Sequence, residues 1–308
     1  MRGGRLLVTG ATGMVGRALV SNLRASGVPV AAVGRTRKAG MEADHFWELG
    51  DQMGPALDGV QTLIHLAARV HIRGAGFSDK EGFDRENAEL TLRLAKEAHA
   101  YGVRRFVFAS SIGVLGSRSE RPLGESDARR PHNAYTYSKS LAEEKLEAFS
   151  RSSGMQLVIL RFPAVVGVGV KGNVDSLLRA VRLQVPLPFS LINNQRQFVT
   201  LRNLVDGIVL AAKHDIAAGE IFHLANPERI STLQLCKLIA EELGVKLRCW
   251  PLPPAFLNAA FLALGRKSLA DGLTGNMLID TSKISSVLGW EPEQPLQSAI
   301  REIISGRG

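Results

Sequence analysis

The sequence predicts an α/β fold, with a doubly wound parallel sheet followed by a smaller second lobe. Short apolar runs alternate with segments of helical period over residues 1–165, and a glycine-rich turn joins the first such pair. Beyond residue 165 the alternation changes to isolated helices separated by Pro-containing segments at 185–188 and 250–254. Alternation of the first kind is typical of βαβ units with right-handed crossovers, which form parallel sheets covered by helices on both faces.

The elements follow from hydrophobic period and turn residues, taken in chain order. Strands are predicted over 5–10, 28–34, 62–68, 105–110 and 157–163. Helices are predicted over 14–26, 86–100, 137–152, 175–183, 204–214 and 232–243. Helix 14–26 illustrates the pattern, with apolar residues at helical spacing, namely Val15, Ala18, Leu19 and Leu23, before Gly27.

The length of 308 residues suits one large or two modest domains, at roughly 100–200 residues per domain. We expect a first domain over 1–165, and a second lobe made mainly from 166–308 with some of that chain returning to the sheet. Ligands of such proteins usually bind between the lobes.

Charge excludes some classes of protein. Lys and Arg number 38 against 29 Asp and Glu, a net charge of +9, but the basic residues occur in short groups such as Arg104-Arg105 and Arg129-Arg130. No five-residue basic block and no interleaved aromatic residues accompany them, so nucleic-acid binding is not expected.

The two cysteines, Cys236 and Cys249, form no C-x-x-C pattern, so neither a disulfide framework nor a metal site is expected.

Two apolar regions bear on location. The N-terminus lacks a long apolar segment of the secretory kind, and the cytoplasm is the default expectation. The later stretch 251–264 is apolar but ends at Gly265-Arg266-Lys267, short of the roughly 20 residues that span a bilayer. It is expected to be a core helix or a substrate lid, and a weak peripheral membrane contact is the alternative.

The glycine-rich turn runs Thr9-Gly10-Ala11-Thr12-Gly13-Met14-Val15-Gly16. At the first βα turn of a parallel sheet, Gly10 permits the tight turn, Gly13 lets the backbone approach a pyrophosphate and Gly16 permits close helix packing. The helix N-terminus adds oriented N–H groups and partial positive charge. The turn therefore predicts a dinucleotide site, with Gly10, Thr12, Gly13, Met14, Val15 and Gly16 as candidate contacts.

Cofactor choice depends on the residue after the second strand, where an acid accepts from the ribose 2′-OH or an Arg receives a 2′-phosphate. Arg35 occupies that position, with Arg37 and Lys38 close behind. NADP(H) is therefore favoured over NAD(H). Asp51, in Leu49-Gly50-Asp51, ends a further predicted strand between those at 28–34 and 62–68, and is a candidate acceptor for the adenine amino group.

A second group of residues carries proton chemistry. Tyr135 and Lys139 lie four residues apart, on one face of a helix. A phenol of pKa ~10 is a poor catalyst near neutral pH unless a nearby ammonium stabilises its phenolate, which Lys139 can do. Ser111 ends a strand at the carboxyl edge of the sheet, where it can orient a substrate oxygen.

In chain order, these motifs resemble an extended short-chain dehydrogenase/reductase: Thr9-Gly10-x-x-Gly13-x-x-Gly16, His65-Leu66-Ala67-Ala68, Asn87, Ser110-Ser111 and Tyr135-x-x-x-Lys139. The resemblance covers nearly the whole chain and implies a Rossmann domain. It implies that Tyr135 is the general acid/base, that Lys139 lowers its pKa and holds the nicotinamide ribose, and that Ser111 positions substrate. It places Leu66, Ala67 and Ala68 along the cofactor with Asn87 near it, and implies a homodimer.

Within that family the chain is similar to the NAD-dependent epimerase/dehydratase group, in the branch of UDP-glucose 4-epimerases and O-antigen 4-keto-sugar reductases. The similarity lies in four segments, 67–71, 160–167, 169–173 and 280–290. It implies a UDP-sugar substrate, with Asn173 and Arg196 at its diphosphate, a group that suits the fixed donors of Arg.

Ile112 and Gly113 disfavour one of the reactions that this family catalyses, the removal of water from the sugar. A 4,6-dehydratase of this family usually carries Asp-Glu directly after the catalytic Ser/Thr, whereas this chain has Ile112-Gly113, which cannot move a proton. The leading prediction is NAD(P)H-dependent C4 reduction of a UDP-4-keto-6-deoxy-N-acetylhexosamine for surface polysaccharide. Arg35 favours it because that residue suits NADPH. Ala164 and Gly113 favour it because they replace the Asn and Thr that 4-epimerases often show near the substrate. The alternatives are a UDP-hexose 4-epimerase with tightly held NAD and a non-catalytic NADP(H) sensor.

Overall fold

The computed structural model describes residues 4–34, 44–46, 52–70 and 79–306. Its strands are β1 Arg5–Thr9, β2 Val30–Gly34, β3 His45–Phe46, β4 Val60–His65, β5 Arg105–Ala109, β6 Gln156–Arg161, β7 Val165–Val166, β8 Val199–Thr200 and β9 Ile221–His223. Its α-helices are α1 Met14–Ala25, α2 Lys80–Asp84, α3 Leu90–Ala100, α4 Ala134–Ser153, α5 Asn173–Arg182, α6 Leu201–Lys213, α7 Thr232–Leu243, α8 Pro254–Ala263, α9 Lys267–Thr274, α10 Ser282–Leu288 and α11 Leu296–Ser305.

The main sheet has seven strands in the order β3-β2-β1-β4-β5-β6-β9, and all of its pairs are parallel. The order reverses between β1 and β4, which is where ligands of such sheets bind, beyond the carboxyl ends of the strands. The predicted α/β doubly wound fold is confirmed. The chain also returns to the sheet late, because β9 pairs with β6.

Helices cover both faces of the sheet, and neighbouring residues of β1 show the division. Leu6 packs in a cluster with residues of α1, α6 and α10, whereas Leu7 packs in a second cluster with residues of α3 and α4. A third cluster forms the second lobe between α5, α7 and α11. The two lobes are thus not separate in sequence, since α6 and α10 pack on the main sheet although both follow residue 165.

Three predicted boundaries are wrong in ways that matter to the site. The strand predicted over 62–68 ends at His65, so Leu66, Ala67 and Ala68 lie in the loop beyond it. The helix predicted over 86–100 begins with a single π-helical turn at Arg85–Glu89. The helix predicted over 137–152 begins at Ala134, because Asn133 and Thr136 form a capping box, and Tyr135 is therefore helical.

The apolar stretch 251–264 also differs from expectation. It contains helix α8, of which only Leu257 is buried, so the core-helix part of the prediction is wrong and the substrate-lid part stays a prediction. Among the described residues, no helix is both long and apolar enough to cross a membrane.

Candidate active site

The glycine turn after β1 forms a tight backbone cradle. Gly10 has φ +71°, and a Cβ there would lie 2.7 Å from the Ala67 nitrogen. A Cβ at Gly16 would lie 2.2 Å from the Gly10 oxygen, so neither position admits a side chain. Gly13 is the N-cap of α1 with no side-chain partner, which leaves backbone N–H groups at the helix start for a ligand. The cradle therefore fits the pyrophosphate of a dinucleotide.

The loop after β4 runs beside this turn, and buried Asn87 holds it in place. The Arg69 N–H donates to Asn87 Oδ1 (2.7 Å), and Asn87 Nδ2 donates to the Arg69 carbonyl (3.0 Å) and to Ser138 Oγ (3.0 Å). The Leu66 N–H donates to the Thr9 carbonyl at 3.2 Å. Since the Asn87 amide is engaged with protein groups, its contribution to a cofactor site is to position residues 66–70 against the glycine turn.

The candidate acid/base lies at the carboxyl edge of the sheet. Tyr135, in the first turn of α4, is hydrogen-bonded to Ser111, whose Oγ also accepts from the Gly113 N–H at 3.1 Å. Burial raises the pKa of Tyr135 to about 12, although the Ser111 hydrogen bond acts to lower it. The phenol is therefore protonated at neutral pH.

Lys139 lies one turn further along α4 and is buried. Its Nζ donates to the Ala109 carbonyl at 2.8 Å and stands 4.4 Å from the centroid of the Phe108 ring. Burial lowers the pKa of Lys139 to about 7, with the nearby Glu143 carboxylate acting to raise it. Burial sets the direction of the pKa shift of Tyr135 in this structure, and the role of Lys139 in lowering that pKa stays a prediction.

A buried ionic cluster below these residues was not predicted. Glu143, one turn beyond Lys139, accepts from Arg161 Nε (3.0 Å) and Nη2 (2.7 Å), from Arg129 Nε (2.8 Å) and from Ser110 Oγ. Burial raises the pKa of Glu143, but the hydrogen bonds and charge of Arg161 outweigh it and the net shift is downward. The sequence carries two signals for this cluster: the spacing of Tyr135, Lys139 and Glu143, and a charged residue inside the apolar run 157–162.

The second lobe supplies a cationic group at Arg196, and the region between this group and Tyr135 is called the cleft below. Arg196 Nη1 donates to the carbonyls of Asp271 (3.1 Å) and Gly275 (3.0 Å), while Arg118 Nε donates to Asp271 Oδ1 (2.7 Å). Asn173 opens α5, with its Nδ2 3.2 Å from where a Cβ on Gly272 would lie. Asn173 and Arg196, predicted together, therefore both lie against α9.

Burial lowers the pKa of Arg196 to about 10, so this guanidinium stays charged at neutral pH. Arg118 and Asp271 were missed because they are 153 residues apart in sequence and no local pattern connects them.

His132 lies between the two ends and was also missed. Its Cε1 is 3.5 Å from where a Cβ on Gly113 would lie, which places it beside the Ser111 turn. Burial lowers the pKa of His132, while the Gly113 backbone and the Asp271 charge raise it and the Arg196 charge lowers it. The ring is thus within electrostatic reach of the cationic end. Arg35 and Asp51, predicted to select the cofactor, lie outside the described residues.

Comparison with known proteins places this geometry in context. Residues 6–225 match the family described as the NAD dependent epimerase/dehydratase family. A UDP-glucose 4-epimerase from Vibrio cholerae is 34% identical over 312 aligned positions, covering 96% of this chain and 93% of the relative. A dTDP-4-dehydro-6-deoxyglucose reductase from Escherichia coli is 21% identical, covering 97% and 96%.

Solved structures show the same fold. The crystal structure of a UDP-glucose 4-epimerase from Thermotoga maritima with UDP-glucose superimposes with a TM-score of 0.79 at 22% identity, covering 98% of this chain and 97% of that one. The architecture is therefore shared over the whole length, including the second lobe.

Proposed function

Because the chain belongs to the NAD-dependent epimerase/dehydratase family of nucleotide-sugar enzymes, we propose that it reduces C4 of a UDP-4-keto-6-deoxy-N-acetylhexosamine, with NADP(H) preferred over NAD(H). The product is a deoxysugar nucleotide for surface polysaccharide or O-antigen. The observation that carries the proposal is the placement of the protonated Tyr135 phenol beside Ser111 at the carboxyl edge of the sheet. A protonated phenol is the form that a carbonyl reduction needs, since it donates a proton to the developing alkoxide.

The proposed reaction balances as one hydride and one proton added across the C4 carbonyl. A reduced nicotinamide cofactor, held by the glycine turn, would supply the hydride. Tyr135 gives its proton to O4, and the Ser111 hydroxyl hydrogen-bonds the same oxygen and orients it. Lys139, buried beside the phenol, provides positive charge that stabilises the phenolate left behind.

The 4,6-dehydratases of this family place an extra acid and base at the two positions after the catalytic Ser/Thr, and the residues found there in this chain do not support dehydration. Ile112 is buried and apolar. Gly113 admits no side chain, because a Cβ there would lie 2.8 Å from Thr136 Cγ2. Neither residue can move a proton across C5 and C6 of a sugar.

The cofactor and the substrate diphosphate are assigned to opposite ends of the cleft. The glycine turn (Gly10, Thr12, Gly13, Met14, Val15 and Gly16), the loop residues Leu66, Ala67 and Ala68, and Lys139 hold the dinucleotide, with Arg35 at a 2′-phosphate and Asp51 at the adenine. Asn173 and Arg196 hold the UDP diphosphate, where a charged guanidinium is well suited to phosphate oxygens.

A second candidate is UDP-hexose 4-epimerisation with retained NAD. The 34% identity to the Vibrio cholerae UDP-glucose 4-epimerase, across nearly both whole chains, favours it. The same Tyr135 and Ser111 serve that reaction, with Tyr135 first accepting and then returning the proton of the C4 hydroxyl.

The deciding experiment incubates purified protein with UDP-4-keto-6-deoxy-GlcNAc and NADPH, or NADH, and follows cofactor oxidation and the sugar product together. Equal amounts of oxidised cofactor and new deoxysugar establish the reductase. No oxidation, with interconversion of UDP-glucose and UDP-galactose or their N-acetyl forms, establishes the epimerase instead. Cofactor binding without turnover of any of these sugars contradicts both and identifies a sensor.

A further inference from the structure

Helix α8 presents an apolar surface to solvent. Six of its ten residues are exposed, and all six are apolar: Ala255, Phe256, Ala259, Ala260, Leu262 and Ala263. Its one polar side chain, Asn258, is half-buried and accepts from Thr274 Oγ1 at 2.7 Å. A surface helix normally exposes polar residues to water, and α8 lacks such a polar outer face.

Helix α5 of the same lobe shows the ordinary pattern. It is also ten residues long, and each of its exposed residues is polar: Asn173, Ser176, Arg179 and Arg182. The two helices contribute to one apolar cluster, so the apolar exterior of α8 is not a property of the lobe as a whole.

Other exposed apolar side chains are concentrated in the same lobe. Of the eleven large apolar side chains exposed among the described residues, seven lie in two segments: Leu183, Val185, Leu191, Trp250, Phe256, Leu262 and Leu264. The segments are joined by backbone hydrogen bonds, because the Leu187 N–H donates to the Arg248 carbonyl and the Trp250 N–H donates to the Leu187 carbonyl. The two segments are therefore neighbours in the fold, and together they expose more large apolar side chains than the rest of the described surface.

The charge around α8 has one sign. From Gly244 to Ala270 the chain has four cations, Lys246, Arg248, Arg266 and Lys267, and no Asp or Glu. All four are exposed. Apolar residues with an exposed Trp and flanking cations, free of acids, match the composition of segments that enter the interface of an anionic bilayer.

From these observations we propose that α8 and its flanks dock on the surface of an anionic lipid bilayer, with Trp250, Phe256, Leu262 and Leu264 in the interface and the cations at lipid headgroups. A second copy of the chain is a poorer occupant. A contact between two copies through α8 would bring the cations of both segments to one interface, with no acid in either segment to offset their repulsion.

The docking face adjoins the cationic end of the cleft. Asn258 of α8 accepts from Thr274 Oγ1, and Arg118 Nη2 donates to that same oxygen at 3.1 Å. With its exposed face on a bilayer, α8 would therefore contact, through its half-buried side, the segment that holds Arg196. This inference does not depend on the reaction proposed above, and its test needs no substrate.

The test is sedimentation of the full chain with phosphatidylcholine vesicles, with and without phosphatidylglycerol. We expect binding to the anionic vesicles only, weakened by added salt, with a blue shift in fluorescence that Trp250→Phe removes. The double variant Phe256→Ser/Leu262→Ser should bind at least about tenfold more weakly, because membrane affinity scales with the apolar area inserted. Arg266→Glu/Lys267→Glu should also lose the preference for anionic vesicles.

Matched controls come from exposed residues elsewhere. Ile216→Ser removes an equally exposed apolar side chain and Arg179→Glu reverses an exposed charge, and neither should alter vesicle binding. Unchanged melting temperatures show that the variants fold. Failure of the wild type to bind anionic vesicles overturns the proposal, as does binding that the α8 variants leave unchanged. Loss of a dimer in the Phe256→Ser/Leu262→Ser variant, without vesicle binding by the wild type, would identify a second copy as the occupant.

Discussion

The two ends of the candidate cleft are built differently. At the reacting end, Ser111, Tyr135 and Lys139 come from one strand end and one helix, and their partners are buried groups of the same sheet. At the cationic end, Arg118, Arg196 and Asp271 come from distant segments and are held by carbonyls and one ion pair. The first arrangement sets the proton affinities of its side chains, and the second supplies positive charge. Substitutions at the first end should therefore reduce kcat, and substitutions at the second end should raise KM.

The largest expected effect is at Tyr135. Tyr135→Phe removes the proton donor but leaves the ring, so kcat should fall by roughly 10²–10⁴-fold with the melting temperature nearly unchanged. Tyr137→Phe is the matched control, because that tyrosine is in the same helix turn but exposed, and its kcat should match the wild type. Equal turnover by wild type and Tyr135→Phe would remove the proposed role of the reacting end.

The buried cluster beneath the reacting end should dominate stability. Glu143→Gln leaves Arg161 buried without its countercharge, and the free energy of unfolding should fall by about 3–5 kcal/mol. Asp175→Asn breaks the largely exposed pair with Arg179 and should cost less than about 1 kcal/mol. Denaturant titration measures both. Comparable losses for the two variants would show that burial does not distinguish these pairs.

Lys139 should lower stability at neutral pH while supporting activity. Its pKa falls from 10.5 to about 7 on folding, so the unfolded chain binds more protons between these values and stability rises with pH there. At and below pH 7 the full cost of the buried charge applies. Lys139→Met should therefore melt higher than wild type at pH 6 to 7, with the difference shrinking towards pH 10, while turnover is lost. A pH-independent difference in melting temperature would contradict this account.

The smallest expected effect is at the cationic end. Arg196→Gln should raise KM for the nucleotide sugar by about tenfold to a hundredfold, the equivalent of losing a charged hydrogen bond worth roughly 1.5–3 kcal/mol, with little change in kcat. Arg182→Gln, on an exposed face of α5, is the control and should not change either constant. A fall in kcat with unchanged KM would mean that Arg196 acts on the reacting atoms, and the distinction between the two ends would fail.

Local chemistry explains which parts of the site could be predicted. The glycine turn and the four-residue spacing of Tyr135 and Lys139 are local patterns; the turn and Lys139 were placed on the correct elements, whereas the helix predicted over 137–152 left out Tyr135. Arg118, His132 and Asp271 carry no local signal, because their partners lie far away in sequence. The boundary errors have local causes too, since the Asn133 capping box moved a helix start that hydrophobic period alone set too late.

By itself, the sequence determined the alternating α/β architecture, the glycine turn after the first strand and the candidate proton donor, because these depend on short-range periodicity, turn geometry and residue chemistry. Only the tertiary structure decided that burial raises the pKa of Tyr135, that Glu143 and Arg161 pair in the core, and that α8 faces outward. Proton affinity depends on burial, ion pairs form across the fold, and an apolar stretch becomes core or surface according to what packs against it. None of these is encoded by spacing along the chain.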